Sequence, residues 1–128
     1  MEKILDRFLR YVAVDTQSNE ESESQPSAEK ELNLLRMLQG ELEALGVQAT
    51  LDEWGYVMGT IPANIDKKVP VVGFIAHVDT APDASGADIK PQIIKDYDGS
   101  DIPLKGVPGL VLKTAEFPSC SRTRARRS

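Results

Sequence analysis

Histidine occurs once in these 128 residues, at position 77, and cysteine once, at position 120. A single cysteine cannot close an internal disulfide, which fits a reducing compartment, and no CxxC pair is present to hold a structural zinc. No internal repeat, glycine-rich phosphate loop or nucleophile elbow occurs anywhere, so nucleotide binding and serine-hydrolase chemistry have no motif to stand on. Long apolar runs are missing too: no stretch approaches the roughly 20 apolar residues of a membrane span. Glu2, Lys3, Asp6, Arg7 and Arg10 interrupt the start too often for a signal-peptide apolar region. The expectation is a cytoplasmic protein with no membrane partner. Excess positive charge is also lacking. A net charge of -5 and a pI near 4.9 argue against nucleic acid or an anionic membrane as partner. The length suits one domain and is too short for two of ordinary size.

Helical spacing of Ile4, Leu5, Phe8, Leu9 and Val12 predicts an amphipathic helix over residues 2–14 that packs on something. Asp15 to Ser18 follows as a polar turn that reads as a helix-ending loop, and residues 19–27 as a solvent-facing one. Ser27 is a plausible N-cap for a second helix, with Glu29 and Glu31 favouring the positive end of its dipole. Leu32, Leu35, Leu38, Leu42 and Leu45 mark one face of that helix, and Gly46 supplies a left-handed residue to end it. Barely three heptads are present, so the stripe fits a helix packed on a sheet better than a coiled coil. From Val47 to Glu53 apolar and polar residues alternate, Trp54 and Gly55 turn the chain, and Tyr56 to Ile61 returns, which predicts a hairpin. Further on, Ile93 and Ile94 suggest a short strand, residues 99–103 break the pattern, and Leu110 to Leu112 form a last apolar run.

The centre of the sequence is VPVVGFIAHVDTAPD, Val69 to Asp83. An apolar, β-branched run from Val69 to Ala76 reads as a strand buried on both faces of a sheet covered by helices. The predicted fold is therefore α/β, with two amphipathic helices on a mixed β-sheet whose inner strand is 69–76. His77 and Asp79 fall just past that strand's carboxyl end, where loops of open α/β sheets collect chemistry. Imidazole binds zinc through one ring nitrogen when the other donates its proton to an acceptor that fixes tautomer and orientation. Asp79, two residues along an extended segment, projects to the same side as His77 and can be that acceptor. A histidine after a strand is nevertheless more often a loop residue or a helix-capping neighbour, and Asp-Thr-x-Pro is equally good turn chemistry.

HVDTAP resembles the first metal-ligand signature of the dinuclear zinc aminopeptidase and carboxypeptidase clan. Residues 1–118 as a whole resemble the amino-terminal part of its tripeptide aminopeptidases, through ILDRFLRYVAVDTQS, GYVMGTIPAN, GFIAHVDTAPD, KPQII and VLKTAEFP in that order. The resemblance implies a partial zinc-peptidase catalytic domain over 1–118, with His77 a zinc ligand and Asp79 a catalytic residue standing behind it. It implies small peptides as substrates and two zinc ions in a complete active site, of whose ligands one is present here. The bridging aspartate, the glutamate base and the second histidine of such a site come from later segments. Asp83, Asp88 and Glu116 sit on no ligand motif and read as surface or turn residues. The resemblance stops at Pro118. Residues 119–128, with Arg122, Arg124, Arg126 and Arg127 and no acid, read as a basic disordered tail foreign to the family, as a reading-frame change or premature end would leave. The chain by itself is expected to be inactive. Its alternatives are a non-enzymatic fragment, or another amidohydrolase or carboxypeptidase of the clan, since His-x-Asp is shared across it.

Overall fold

The computed structural model describes residues 2–122. Its elements in chain order are α1 (Ile4–Val12), α2 (Glu31–Ala44), β1 (Gln48–Leu51), β2 (Val57–Thr60), β3 (Ile102–Pro103), β4 (Val111–Leu112) and α3 (Pro118–Arg122). They fall into two compact units, one running to Ile89 and the other beginning at Lys90.

In the first unit the predicted helices and hairpin form, each a little shorter than its sequence pattern. β1 and β2 pair antiparallel with Gln48 opposite Thr60 and Leu51 opposite Val57. Asp52 turns the hairpin by accepting the main-chain N–H groups of Trp54 at 3.0 Å and Tyr56 at 2.8 Å. Gly55, at φ 84°, takes the left-handed conformation there. The expected alternation also holds, with Val47, Ala49 and Leu51 partly covered and Gln48, Thr50 and Asp52 exposed.

Helix α2 lies on this hairpin. A methyl group built on Gly59 would stand 3.1 Å from Val47 Cγ1 and 3.3 Å from Leu42 Cδ1, so the helix meets the strand at a residue without a side chain. Leu34 and Leu35 are the buried apolar residues of this small core, whereas Leu45 at the end of the stripe is exposed. Gly46, at φ 79°, ends the helix as its position predicts. At the other end the cap differs from the expected one. Ser27 precedes the first helical residue by four positions, its hydroxyl donates to Glu31 Oε1 at 2.7 Å, and the Ala28 N–H donates to the same oxygen at 3.0 Å. Glu31 therefore reaches back over the entering turn, and Lys30 is the N-cap.

Two expectations are corrected. Helix α1 packs only in part: none of its residues is fully buried, Ile4, Leu5 and Phe8 on its apolar face are exposed, and Leu9 and Val12 are half-buried. Arg10 and Tyr11, on its last turn, meet α2 by polar contacts at Glu41. The predicted inner strand 69–76 does not form either, and the described residues contain no mixed sheet. The described sheets are two antiparallel pairs, β1–β2 and β3–β4. Val71, Phe74 and Ile75 stand 98%, 97% and 101% exposed. A strand needs a neighbour to take its main-chain hydrogen bonds, and residues 69–76 make no backbone–backbone hydrogen bond among the described residues. The run 69–76 has the right composition for a sheet interior and no sheet to enter.

In the second unit, β3 falls where the sequence pattern breaks, while Ile93 and Ile94 are exposed and not in a strand. β3 pairs with β4 through Ile102 opposite Leu112 and Pro103 opposite Val111. Pro103 has no N–H to donate and is tolerated because a two-stranded ribbon leaves each strand an open edge. Asp101 ties the ribbon's ends by accepting Thr114 N–H at 2.8 Å and its hydroxyl at 2.9 Å. Those two donors hold the Asp101 carboxyl below its ordinary value. The remainder of the basic tail, including Arg124, Arg126 and Arg127, lies outside the described residues.

Candidate functional site

His77 and Asp79 come together. Nδ1 of His77 lies 3.0 Å from Asp79 Oδ1, with the His77 side chain 84% exposed and that of Asp79 47% exposed. A carboxylate can only accept, so Nδ1 is the donor in this contact and, in the neutral ring, the lone pair falls on Nε2. The imidazole is thereby set in the tautomer that offers Nε2 to a metal, on a side open to solvent.

Past Asp79 the chain is fastened by the loop that follows α1. Gln17 and Thr80 form a parallel bridge. The Thr80 N–H donates to the Thr16 carbonyl at 3.0 Å, and the Thr80 carbonyl accepts the Ser18 N–H at 3.0 Å and the Ser18 hydroxyl at 2.9 Å. Gln17 Nε2 donates to the Pro82 carbonyl at 2.8 Å. The loop is itself held from α2's side, where Lys30 Nζ donates to Asp15 Oδ2 at 2.9 Å and to Gln17 Oε1 at 3.4 Å. Asp15 Oδ1 takes the Gln17 N–H at 3.0 Å. That bond, followed by the one from Lys30, holds the Asp15 carboxyl below its ordinary value. Thr16, inside this strap of residues 15–18, is 3% exposed. Gly86 lies against Asp15 and Gln17, because a Cβ at that position would come within 2.5 Å of Asp15 Oδ1 and 3.2 Å of the Gln17 main-chain nitrogen.

Sequence reasoning placed residues 15–18 in a loop and missed what the loop does. No local signal could have found Lys30 or Gly86, since neither belongs to a motif and their partners are distant in sequence. Asp83 is exposed, and Glu116 belongs to the second unit, where it pairs with Lys113 at 3.4 Å. Among the described residues no three His, Cys, Asp or Glu side chains are grouped so as to hold a metal ion. The residues present therefore fit one zinc-ligand position and the carboxylate that supports it, and do not make a complete metal site. No helix among the described residues is long and apolar enough to cross a membrane.

No family model matches the chain. Individual relatives do match it. A run of 118 residues, 92% of the chain, is 54% identical to a protein of Desulfitobacterium hafniense. The corresponding values are 50% over 120 residues for one of Macrococcus caseolyticus and 52% over 117 residues for one of Brevibacillus brevis. A run of that length necessarily takes in His77 and Asp79. Identity at this level over more than nine-tenths of the chain places it among the homologues of peptidases. All three relatives are peptidase T, and the chain is a peptidase T homologue that spans about 29% of the length of the relatives it matches.

Proposed function

We propose that residues 1–118 form part of the catalytic domain of a cytoplasmic, zinc-dependent aminopeptidase of the peptidase T type, which releases the amino-terminal residue of tripeptides. In this reading His77 is a zinc ligand through Nε2, and Asp79 is the carboxylate that holds its ring. The 3.0 Å contact between His77 Nδ1 and Asp79 Oδ1, within a stretch half identical to peptidase T, is the observation that carries it. When bound, zinc supplies Lewis-acid polarisation of the scissile carbonyl. The chain's own contribution is the preparation of one ligand. Asp79 keeps the proton on Nδ1, orients the ring, and raises the basicity of Nε2. A dinuclear centre also needs carboxylate ligands, a second imidazole and a carboxylate base. In this reading they belong to the part of the relatives' length that the chain does not span.

Competition with a chromophoric zinc chelator tests the assignment. The chain should take up zinc weakly, His77→Ala should abolish the uptake, and Asp79→Asn should weaken it by about 10- to 100-fold. Equal zinc uptake by the wild type and His77→Ala would overturn the reading.

A further inference from the structure

We propose that Gln17 is a positioning residue for the His77/Asp79 pair, held by Lys30 and acting through the main chain just beyond Asp79. The inference rests on the reading of His77 as a ligand. Between the hairpin and Thr80 the main chain makes no backbone–backbone hydrogen bond among the described residues. The pair is thus tied to the first unit's framework at Thr80 and Pro82, on one side only. Two main-chain bonds and the Ser18 hydroxyl hold Thr80, and the Gln17 side chain reaches past Ala81 to hold Pro82 at 2.8 Å.

The two ends of the Gln17 amide are not interchangeable. Lys30 Nζ can only donate, so the atom 3.4 Å from it must be the oxygen. The Pro82 carbonyl can only accept, so the atom facing it must be the nitrogen. Flipping the amide would break both contacts, and the pairing is therefore directional. Lys30 also grips Asp15, whose other oxygen takes the Gln17 N–H, so one ammonium secures Gln17 through both side chain and main chain. The consequence reaches the imidazole by a short route. Pro82 is three residues from Asp79, and the bond from His77 Nδ1 to Asp79 weakens once the carboxylate moves by a few tenths of an ångström.

Gln17→Glu isolates this role. It keeps the size of the side chain and an acceptor for Lys30, but turns a carboxylate oxygen toward the Pro82 carbonyl. His77 is the sole histidine, so its ring nitrogens give one unambiguous pair of signals in the full chain labelled with 15N-histidine. Long-range proton–nitrogen correlation then reads the tautomer directly, without zinc. Wild type should show predominantly the Nδ1–H form. Gln17→Glu should lower the ratio of Nδ1–H to Nε2–H by about two- to tenfold, the worth of one net hydrogen bond. Its helical circular dichroism should stay unchanged, and Gln39→Ala, a half-buried α2 residue bonded to Glu43 of the same helix, should keep the wild-type ratio. A folded Gln17→Glu with the wild-type ratio overturns the proposal. If Gln17→Glu does not fold, Ser18→Ala, which removes only the hydroxyl bond to Thr80, is read by the same criterion. Zinc chloride added to wild type is a separate arm: unmoved His77 signals sink the ligand reading, whereas the zinc-free tautomer comparison still decides the role of Gln17.

Discussion

The hydroxyl of Tyr11 on α1 donates to Glu41 Oε2 on α2 at 2.5 Å. Glu41 is also bonded by Arg10, whose guanidinium reaches the other carboxylate oxygen and, at 2.8 Å, Glu2. Arg10 also reaches Met37 Sδ of α2 at 3.5 Å, so with no residue of α1 fully buried these polar contacts do much of the joining of the two helices. Tyr11→Phe should cost about 1 kcal/mol, a charge-assisted bond discounted for partial exposure. Glu41→Gln should cost more, because it weakens Arg10's anchorage as well as Tyr11's. Urea unfolding of both variants measures this, and an unchanged midpoint for Glu41→Gln would show that the joint carries no stability.

Acid should loosen the same joint and the strap together. Arg10, then Tyr11, hold the Glu41 carboxyl below its ordinary value, and Gln17 and Lys30 do so for Asp15. A carboxyl lowered on folding contributes stability that is fully present above its unfolded value, near 4, and is lost as pH falls through the lower folded value. Thermal stability should therefore be flat from neutral pH down to about 5 and fall steeply below about 4. Asp15→Asn should flatten part of that fall. A midpoint that is constant down to about pH 2.5 would contradict the assignment.

Two glycines should respond oppositely to alanine. Gly86→Ala drives a methyl group against Asp15 Oδ1 and the Gln17 main chain, which should destabilise by about 1–3 kcal/mol. Gly40, inside α2, has nothing within 4 Å of its Cβ position. Gly40→Ala should stabilise by about 0.5–1 kcal/mol through helix propensity. Paired denaturant curves check both signs.

Purified chain should not turn over tripeptides. It holds one ligand position and, among the described residues, no grouped metal site. Loss of a general base alone commonly costs about 10²- to 10⁴-fold. Zinc-dependent tripeptide hydrolysis that disappears in His77→Ala would refute this.

Legibility in the sequence followed the range of the interactions. The two helices, Gly46, the hairpin with its alternating exposure and the contact between His77 and Asp79 all depend on residues within a turn or two of one another, and each was readable. What failed was long-range. The composition of 69–76 points to a sheet interior because composition reports what a segment can bury, not whether neighbours exist to bury it. The helical spacing of α1 likewise predicts a packed face, which the structure packs only in part, joining α1 to α2 largely through polar contacts. The strap was invisible for the related reason that Gln17, Lys30, Pro82 and Gly86 meet only after folding. Peptidase homology was legible because several short blocks recur in order, a signal independent of packing.

The bare stretch from Val71 to Ala76 has a further effect on the molecule's fate. It carries no charge, and its valines, phenylalanine and isoleucine favour stacking between copies, with Lys67, Lys68 and Pro70 on one flank and Asp79 on the other as gatekeepers. Such encounters are bimolecular, so the working lifetime of this polypeptide in solution is governed by how concentrated it is as much as by how firmly α2 sits on its hairpin.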